Sequence, residues 1–377
     1  MTSKERVIAA LNHKESDRVP RGENAFNSVY FEQVMGYKTL CYGGWDELEA
    51  LWAGNRDKIV ADYVDAIVGL TKKMQWDYIR VPVAPKKKDY SGYKRISERL
   101  FEDNTGKKFH FNPEAGNVVC PDSYNTDITI DDIVEDPNFS VDECEMEIAK
   151  AIIDKLGDTH FIMGRPSIGG TFPYLNTVGM EEYMIRMITE PEFVHKLADI
   201  ECKKAIAYID AFMDIGCDGI MVTEDYADNK GITVGVQRYE EFIMPYLKRV
   251  CNAVHSRGAY FIKHTDGVMW DILDSFVEMG IDGWHGIQPS AGMDIKRLKE
   301  KYEGKLCLFG GMNVETLIAG TPEEVKAEAV YAMKHGAPGG GFVLTGGNIL
   351  EPGVKPENYY AAIEAWKEFG NYPIKID

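Results

Sequence analysis

Eight short apolar or β-branched runs recur along the sequence, and helical patterns follow most of them. This alternation constrains the fold more than any other feature, because strand–helix repetition without interruption is typical of a parallel sheet covered by helices. No linker rich in Pro, Gly and Ser divides the chain, so we predict an α/β fold with one domain over residues 1–377, a (β/α)8 TIM barrel. The runs are Arg18–Glu23, Tyr78–Val83, His160–Gly164, Gly219–Glu224, Tyr260–His264, Gly283–Ile287, Leu306–Gly310 and Gly341–Thr345.

The helical patterns are clearest in the second half of the chain. They predict helices over Arg238–Arg257, Met269–Met279 and Asp294–Glu303, and a further helix that a capping box at Thr321 opens and Gly336 closes. A doubly wound open sheet is the alternative architecture. That fold would need a nucleotide-binding loop after the first strand, and the sequence GENAFNS that follows Val19 is not one.

One stretch breaks the strand–helix rhythm, between about residues 90 and 120. It contains RLFEDNTGKKFHF, in which two alternating segments flank Asn104-Thr-Gly, a typical hairpin signal. We predict an antiparallel hairpin insertion after the second strand, lying over the mouth of the barrel.

Charge and cysteine content limit the partners and the compartment. Sixty acidic against 42 basic residues give a net charge of −18, which repels nucleic acid and anionic lipid. No apolar stretch reaches the roughly 18 residues that a membrane span needs. Seven widely spaced cysteines are an odd number and include no C-x-x-C pair, a pattern typical of a reducing compartment. We expect a cytoplasmic protein without nucleic-acid or membrane partners.

Polar residues stand where the predicted strands end, which is where barrel enzymes carry their chemistry. His264 and His285 differ from the other histidines because both end neighbouring strands, the fifth and the sixth. The candidates are Glu23, Arg165, Glu224, Asp225, His264, Asp266, His285, Asn313 and Asn348.

The segment Ile262-Lys-His-Thr-Asp-Gly267 is the most informative of these strand ends. His264 and Asp266 can share a cation or a proton relay, and Glu224 or His285 are the nearest candidates for a third ligand of a zinc ion. Two structural alternatives stay open: Asp266 caps the following helix, or the pair Glu224-Asp225 forms an ion pair with Arg165 or Lys263. As catalytic residues we predict Glu224, Asp225, His264 and Asp266.

Glycine pairs follow the last two predicted strands, Gly310-Gly311 and Gly346-Gly347, the second of them continued by Asn348. Many barrels bind phosphate on backbone amides at this position, and glycine also leaves room for a large flat cofactor. Turn geometry alone is the third explanation. We predict that the four glycines and Asn348 contact a cofactor.

Several segments, in this order, resemble the uroporphyrinogen decarboxylase superfamily over nearly the whole chain. RVIAALNHKESDRVP is similar to its N-terminal helix and first strand. The remaining segments resemble its corrinoid-dependent methyltransferases: GCDGIMVTEDYADNKG, YEEFIMPYLKRV, YFIKHTDG, LFGGMNVETLIAGTPEEV and GNILEPGVKPENYYAAIEAW.

Two departures from the family patterns indicate the branch. The R-x-A-G-R segment of true uroporphyrinogen decarboxylases is absent from the corresponding region, RVPRGENAFNSVYFE. The coenzyme M methyltransferases carry H-x-C-G and a later cysteine as zinc ligands. In this chain His264 matches the histidine, Asp266 stands in place of the first cysteine, and Gly347 or Asn348 stands near the second. Carboxylate and imidazole suit a harder site that polarises oxygen, whereas thiolates suit a thiol acceptor.

The resemblance therefore implies a methyltransferase of the O-demethylation type. It would move a methyl group from an oxygen-bound small-molecule donor, with aryl methyl ethers as one candidate class, to the cobalt of a corrinoid (cobalamin-type) cofactor. Because the chain has no D-x-H-x-x-G signature, a separate corrinoid-binding protein would carry that cofactor. A decarboxylase of the uroporphyrinogen type and a non-catalytic tetrapyrrole- or corrinoid-binding protein are the alternatives. Monomer and homodimer both remain open.

Overall fold

A computed structural model describes residues 1–112, 117–121, 124–174 and 177–376. Within these residues the β-strands are β1 (Tyr78–Val81), β2 (Lys94–Ser97), β3 (Leu100–Glu102), β4 (Lys108–Asn112), β5 (Asn117–Pro121), β6 (Phe161–Gly164), β7 (Gly219–Thr223), β8 (Ala227–Asp228), β9 (Gly231–Ile232), β10 (Tyr260–His264), β11 (Gly283–Ile287), β12 (Cys307–Met312) and β13 (Phe342–Gly346). The α-helices are α1 (Ser3–Leu11), α2 (Ser28–Met35), α3 (Trp45–Trp52), α4 (Arg56–Met74), α5 (Glu147–Leu156), α6 (Met180–Thr189), α7 (Pro191–Asp214), α8 (Val236–Phe242), α9 (Met244–Ser256), α10 (Leu273–Met279), α11 (Ile295–Tyr302), α12 (Val314–Ala319), α13 (Pro322–Gly336) and α14 (Pro356–Phe369).

A curled parallel sheet of seven strands forms the centre of the α/β fold, in the order β1-β6-β7-β10-β11-β12-β13. Strands β1, β6, β10 and β13 are buried along nearly their whole length, which is why their sequences are continuous apolar runs. Large side chains such as Tyr78, Phe161 and Phe309 fill the inside of the curl, where α1 adds Val7 and Leu11 at the end where the strands begin. The other buried side chains lie mainly between the sheet and the helices.

The first predicted strand, Arg18–Glu23, is not a strand of this sheet. Arg21 forms only an isolated parallel bridge with Leu344 of β13, although the segment bonds to both edges of the sheet. Leu344 N donates to Pro20 O at 2.9 Å, and Asp77 N, directly before β1, donates to Arg21 O at 2.6 Å. Pro20 has no N–H to donate, which interrupts a regular ladder. The prediction of eight strands was therefore wrong by one, although the eighth position is occupied.

One predicted helix differs from the structure in detail, and one predicted helix start is confirmed. The predicted helix Arg238–Arg257 is two helices, α8 and α9, which meet at Ile243. Pro245 lies in the first turn of α9 and cannot donate a helical hydrogen bond to the preceding turn. In contrast, Thr321 caps α13 with both hydrogen bonds of a capping box, as predicted.

A four-stranded antiparallel sheet, β2-β3-β4-β5, follows β1. Strands β3 and β4 pair across the turn at Asp103–Lys107, with Phe101 opposite Phe109. Phe111 of β4 reaches the cavity at the carboxyl ends of the parallel strands. No helix in the described ranges is long and apolar enough to cross a membrane.

Candidate metal centre and its cavity

Strands β7 and β10 end at the same level of the sheet, and the neighbouring β11 continues to Ile287. His264 is paired in register with Thr223 on one side and with His285 on the other. The residues that follow β7 and β10 therefore emerge side by side at the carboxyl edge, where α/β barrels carry their active sites.

Three of these residues form a cluster that could hold a metal ion: Asp225, His264 and Asp266. Their ligand atoms all lie within 4.8 Å of one another. Nε2 of His264 is 3.7 Å from Oδ1 of Asp225, and the His264 side chain is only 6% exposed whereas that of Asp225 is 53% exposed. One nitrogen and two oxygen donors, open to solvent on one side, fit a catalytic zinc site with three protein ligands.

The turn after β10 brings Asp266 into this cluster. Gly267 has a φ of +84°, and a Cβ on it would lie 2.6 Å from the carbonyl oxygen of Asp228, so the turn needs glycine. Asn348 Nδ2 donates to Asp266 Oδ2 at 3.1 Å. The next helix, α10, begins at Leu273, so Asp266 does not cap it.

His285 supports His264 rather than joining the cluster. The Nδ1 atoms of the two rings are 2.7 Å apart, and both side chains are buried. One ring must therefore donate to the other, and donation from His264 Nδ1 leaves the Nε2 lone pair of His264 facing Asp225. His285 Nε2 is buried without a hydrogen-bond partner in the described part of the chain. The geometry thus gives His285 the position of a residue that sets the tautomer of a metal ligand.

Burial and neighbouring charges set the protonation of the cluster. Burial, with the positive charges of Lys263 and Arg80, lowers the pKa of His264 to about 3. Burial and the nearby Asp225 raise the pKa of Asp266 to about 6, and burial also raises the pKa of Asp225, against the effect of Lys263. Near neutral pH His264 is therefore neutral and Asp266 mostly ionised, which are the forms that bind metal ions.

Glu224 lies beside the cluster in sequence but points elsewhere. Its carboxylate accepts hydrogen bonds from the Thr171 N–H at 3.0 Å, the Phe172 N–H at 3.3 Å and the Thr171 hydroxyl. Lys263 Nζ donates to the backbone carbonyl of Glu224 at 2.6 Å rather than to its side chain. Glu224 therefore anchors the loop after β6, and the structure does not bring it together with His264 and Asp266.

The first glycine pair is packed against protein atoms. A Cβ on Gly310 would lie 2.6 Å from the side chain of Ile287 on the adjacent strand. Gly311 has a φ of +107°, and its Cβ would lie 2.5 Å from that of Ala332 in α13. Internal packing thus explains both residues, and their contact with a cofactor stays a prediction.

The second glycine pair lies against a buried carboxyl group. Gly346 N lies 3.1 and 3.2 Å from the two oxygens of Glu23, which also accept from the Tyr359 hydroxyl at 2.9 Å. Burial raises the pKa of Glu23 to about 7. A Cβ on Gly347 would lie 2.9 Å from the carbonyl oxygen of Ile287. Glu23 therefore lies in the interior, and it is not one of the three residues of the candidate metal cluster.

A cavity of about 500 Å³ opens beside His264. Sequence reasoning missed several of the residues around it, including Arg80 and Tyr42, although an arginine inside the otherwise apolar run Tyr78–Val83 was a signal. Asp266 lies next to a smaller cavity of about 160 Å³, which Asn313 and Gly347 also line. The residues that border the larger cavity include Arg80, Arg165, Tyr42, Phe111, His264 and Asn348.

Comparison with known proteins places this site in a family. The family model described as "Uroporphyrinogen decarboxylase (URO-D)" matches residues 134–369, more than half of the chain, including β6 to β13 and the metal cluster. The chain belongs to the uroporphyrinogen decarboxylase family. The fold agrees: a methyltransferase from Methanosarcina mazei superposes with a TM-score of 0.68 and 18% identity, covering 98% of this chain and 99% of the other.

Curated relatives carry the decarboxylase name. Uroporphyrinogen decarboxylase of Chlorobium luteolum is 29% identical over 191 residues, which is 48% of this chain and 51% of the relative. That of Chlorobaculum parvum is 27% identical over 210 residues, 53% of this chain and 54% of the relative. The chain thus spans about half the length of the curated relatives that it matches.

Proposed function

We propose that the protein is a methyltransferase that moves a methyl group from an oxygen-bound donor to the cobalt of a separate corrinoid protein. The observation that carries this proposal is the cluster of Asp225, His264 and Asp266 beside a cavity with aromatic walls. Its donor atoms are hard, and they are suited to a zinc ion that would polarise an ether oxygen. We infer that aryl methyl ethers are the donor class, because Tyr42 and Phe111 offer flat apolar surfaces to a ring.

The protein's own residues position the donor and hold charge. His264 and Asp266 would hold the zinc ion together with Asp225, while His285 fixes the tautomer of His264 and Asn348 orients Asp266. The corrinoid on the partner would supply cobalt(I) as the acceptor of the methyl group. The electron pair of the C–O bond would stay on the oxygen, which would leave as an alkoxide or phenolate. The attacking atom is on the partner, so this chain need supply no nucleophile.

A second cavity indicates where the corrinoid could approach. It has a volume of about 650 Å³, lies next to the first, and shares Tyr42, Phe111 and Ile349 with it. Trp45 of α3 and Glu98 also line it. We propose that the corrinoid protein docks over this outer cavity.

Decarboxylation of a uroporphyrinogen-like substrate is the second candidate function. Membership of the family and the names of the curated relatives favour it. The absence of the R-x-A-G-R segment argues against it, because a chain of net charge −18 is poorly equipped for a polycarboxylate without those arginines.

A reconstituted assay separates the two functions. Protein loaded with zinc is mixed with an aryl methyl ether and cob(I)alamin or a corrinoid protein, and the conversion of cob(I)alamin to methylcobalamin is followed by absorbance. We expect zinc-dependent methyl transfer that falls at least about a hundredfold in His264→Ala and remains unchanged in His335→Ala, a histidine of α13 outside the cluster. Release of CO2 from uroporphyrinogen without metal would contradict the proposal and support the decarboxylase. Tight tetrapyrrole binding without metal or turnover would support a non-catalytic binding protein instead.

A further inference from the structure

Two arginines from adjacent strands border the cavity beside His264. Arg80 lies in β1, and Arg165 directly follows β6. The two strands pair in parallel register, and Arg165 N donates to the carbonyl oxygen of Val81 at 2.9 Å. Both side chains therefore enter the same cavity from neighbouring positions.

Neither guanidinium has a carboxylate partner within ion-pair distance among the residues that the structure describes. Arg80 is only 8% exposed, and its Nε donates to the carbonyl oxygen of Asn24 at 2.9 Å. Nε of Arg165 is buried and has no hydrogen-bond partner within the described ranges. A buried cation such as Arg80 is costly without a counter-charge, and a ligand that supplies the missing charge would remove that cost.

The positive charges of Arg80 and Arg165 lie near each other rather than beside a carboxylate. Burial and the nearby Arg165 lower the pKa of Arg80 to about 9, which still leaves it protonated at neutral pH. Glu47 is the carboxyl group at the cavity wall, but it accepts a hydrogen bond from the Tyr63 hydroxyl at 2.8 Å, and burial raises its pKa to about 7. The cavity thus keeps a positive wall within a strongly acidic protein.

The aromatic part of the cavity wall suits a flat apolar group. Tyr42, Tyr63 and Phe111 line it together with Phe26, and the volume of about 500 Å³ is in the range of small-molecule sites. Arg80 and Arg165 offer planar forks that match a carboxylate. A ligand with an aromatic ring and one carboxylate would satisfy both parts of this wall.

We propose that Arg80 and Arg165 form a subsite that binds the carboxylate of an aromatic substrate. The ring lies against Tyr42 and Phe111, and the oxygen-bound methyl group of the same molecule faces the cluster at His264. The position of the methyl group rests on the function proposed above, whereas the binding of an aromatic carboxylate does not.

Binding titrations without corrinoid and without turnover test the subsite. The ligands are 4-methoxybenzoate, its neutral isostere 4-methoxybenzamide, and inorganic phosphate, each titrated by calorimetry into the wild-type protein. We expect 4-methoxybenzoate to bind at least tenfold more tightly than the amide and than phosphate. Equal affinity for the acid and the amide would overturn the proposal. Phosphate binding as tight as that of the acid would also overturn it, because the site would then be one for inorganic anions.

Variants assign the preference to the arginines. In Arg165→Gln we expect the preference for acid over amide to fall to threefold or less while affinity for the amide is kept, and in Arg165→Lys part of the preference should remain. Arg238→Gln, on the exposed surface of α8, is the matched control and should behave as wild type. An unchanged preference in Arg165→Gln would refute the assignment, and the wild-type comparison decides the ligand class even if that variant does not fold. If the protein prefers the carboxylate but transfers no methyl group, the function proposed above is wrong and the carboxylate subsite still stands.

Discussion

Replacing Asp266 by asparagine should make the metal-free protein more stable at neutral pH. The carboxylate of Asp266 is partly buried beside Asp225, and its pKa is raised to about 6 from an ordinary value of 3.8. The folded chain therefore binds this proton more tightly than the unfolded chain does, so ionisation of Asp266 opposes folding. Asparagine keeps the shape of the side chain and removes the charge.

The size of the effect follows from the pKa difference. About two pKa units correspond to roughly 3 kcal/mol at most, and partial solvent access reduces this to about 1–2 kcal/mol. At roughly 2.1 cal/mol/K per residue, the unfolding entropy of a chain of 377 residues is about 0.8 kcal/mol/K. Asp266→Asn should therefore raise Tm by about 1–3 °C above pH 7, and the gain should disappear as the pH falls from about 6 to 4.

Thermal unfolding in the presence of EDTA, scanned from pH 4 to pH 8, measures this difference. Asp271→Asn, which removes an exposed carboxylate from the same loop region, is the control and should show no pH-dependent gain. With saturating zinc the wild type should have the higher Tm of the two, because only the wild type retains all three ligands and gains stability from binding. A variant that is less stable than wild type by the same amount at every pH would refute the reasoning.

Three further predictions concern the surroundings of the cluster. Zinc affinity should fall about tenfold between pH 7 and pH 5 as Asp266 takes up a proton, and a chelator competition that shows no pH dependence would contradict this. His285→Ala should weaken zinc binding by roughly 10- to 100-fold through the loss of orientation of His264, and equal affinity in the same competition would exclude that role. Glu224→Gln should leave zinc affinity within about threefold of wild type in the chelator competition. It should lower the free energy of unfolding, measured by denaturant titration, by roughly 1–3 kcal/mol, because it weakens the hydrogen bonds to Thr171. A large loss of zinc affinity with unchanged stability would instead identify Glu224 as a ligand.

The strands of the sheet were predictable because they are buried on both faces. The runs Tyr260–His264 and Gly283–Ile287 coincide with β10 and β11, and the other five runs after the first differ from their strands by one or two residues at one or both ends. Hydrophobic continuity encodes such strands locally. The segment at Arg18–Glu23 was harder, because its pairing depends on two distant edges and a proline, which no local pattern records.

The metal cluster was predictable in part. His264 and Asp266 share one strand end, so their proximity is a local property. Asp225 was predicted as a catalytic residue and not as a ligand, because the register of β7 with β10, which brings it beside His264, is not visible in the sequence. Glu224 and Asp225 are adjacent in sequence and point to different places, a choice that the loop at Thr171 decides. Side-chain direction after a strand ends depends on the packing of other loops, and the sequence of one loop does not encode it.

The segment at residues 18–23 has a consequence for how the chain folds on a ribosome. Two of its anchors lie in α14: the Tyr359 hydroxyl donates to Glu23 and the Trp366 indole to Val19 across 336 and 347 residues. Contacts between residues so far apart in sequence form late, so the segment lacks these two hydrogen bonds until α14 has been synthesised. Until then both edges of the parallel sheet are exposed to pairing with other chains. Nascent chains stalled before α14 should therefore depend on chaperones, even though every strand of the sheet has already been made.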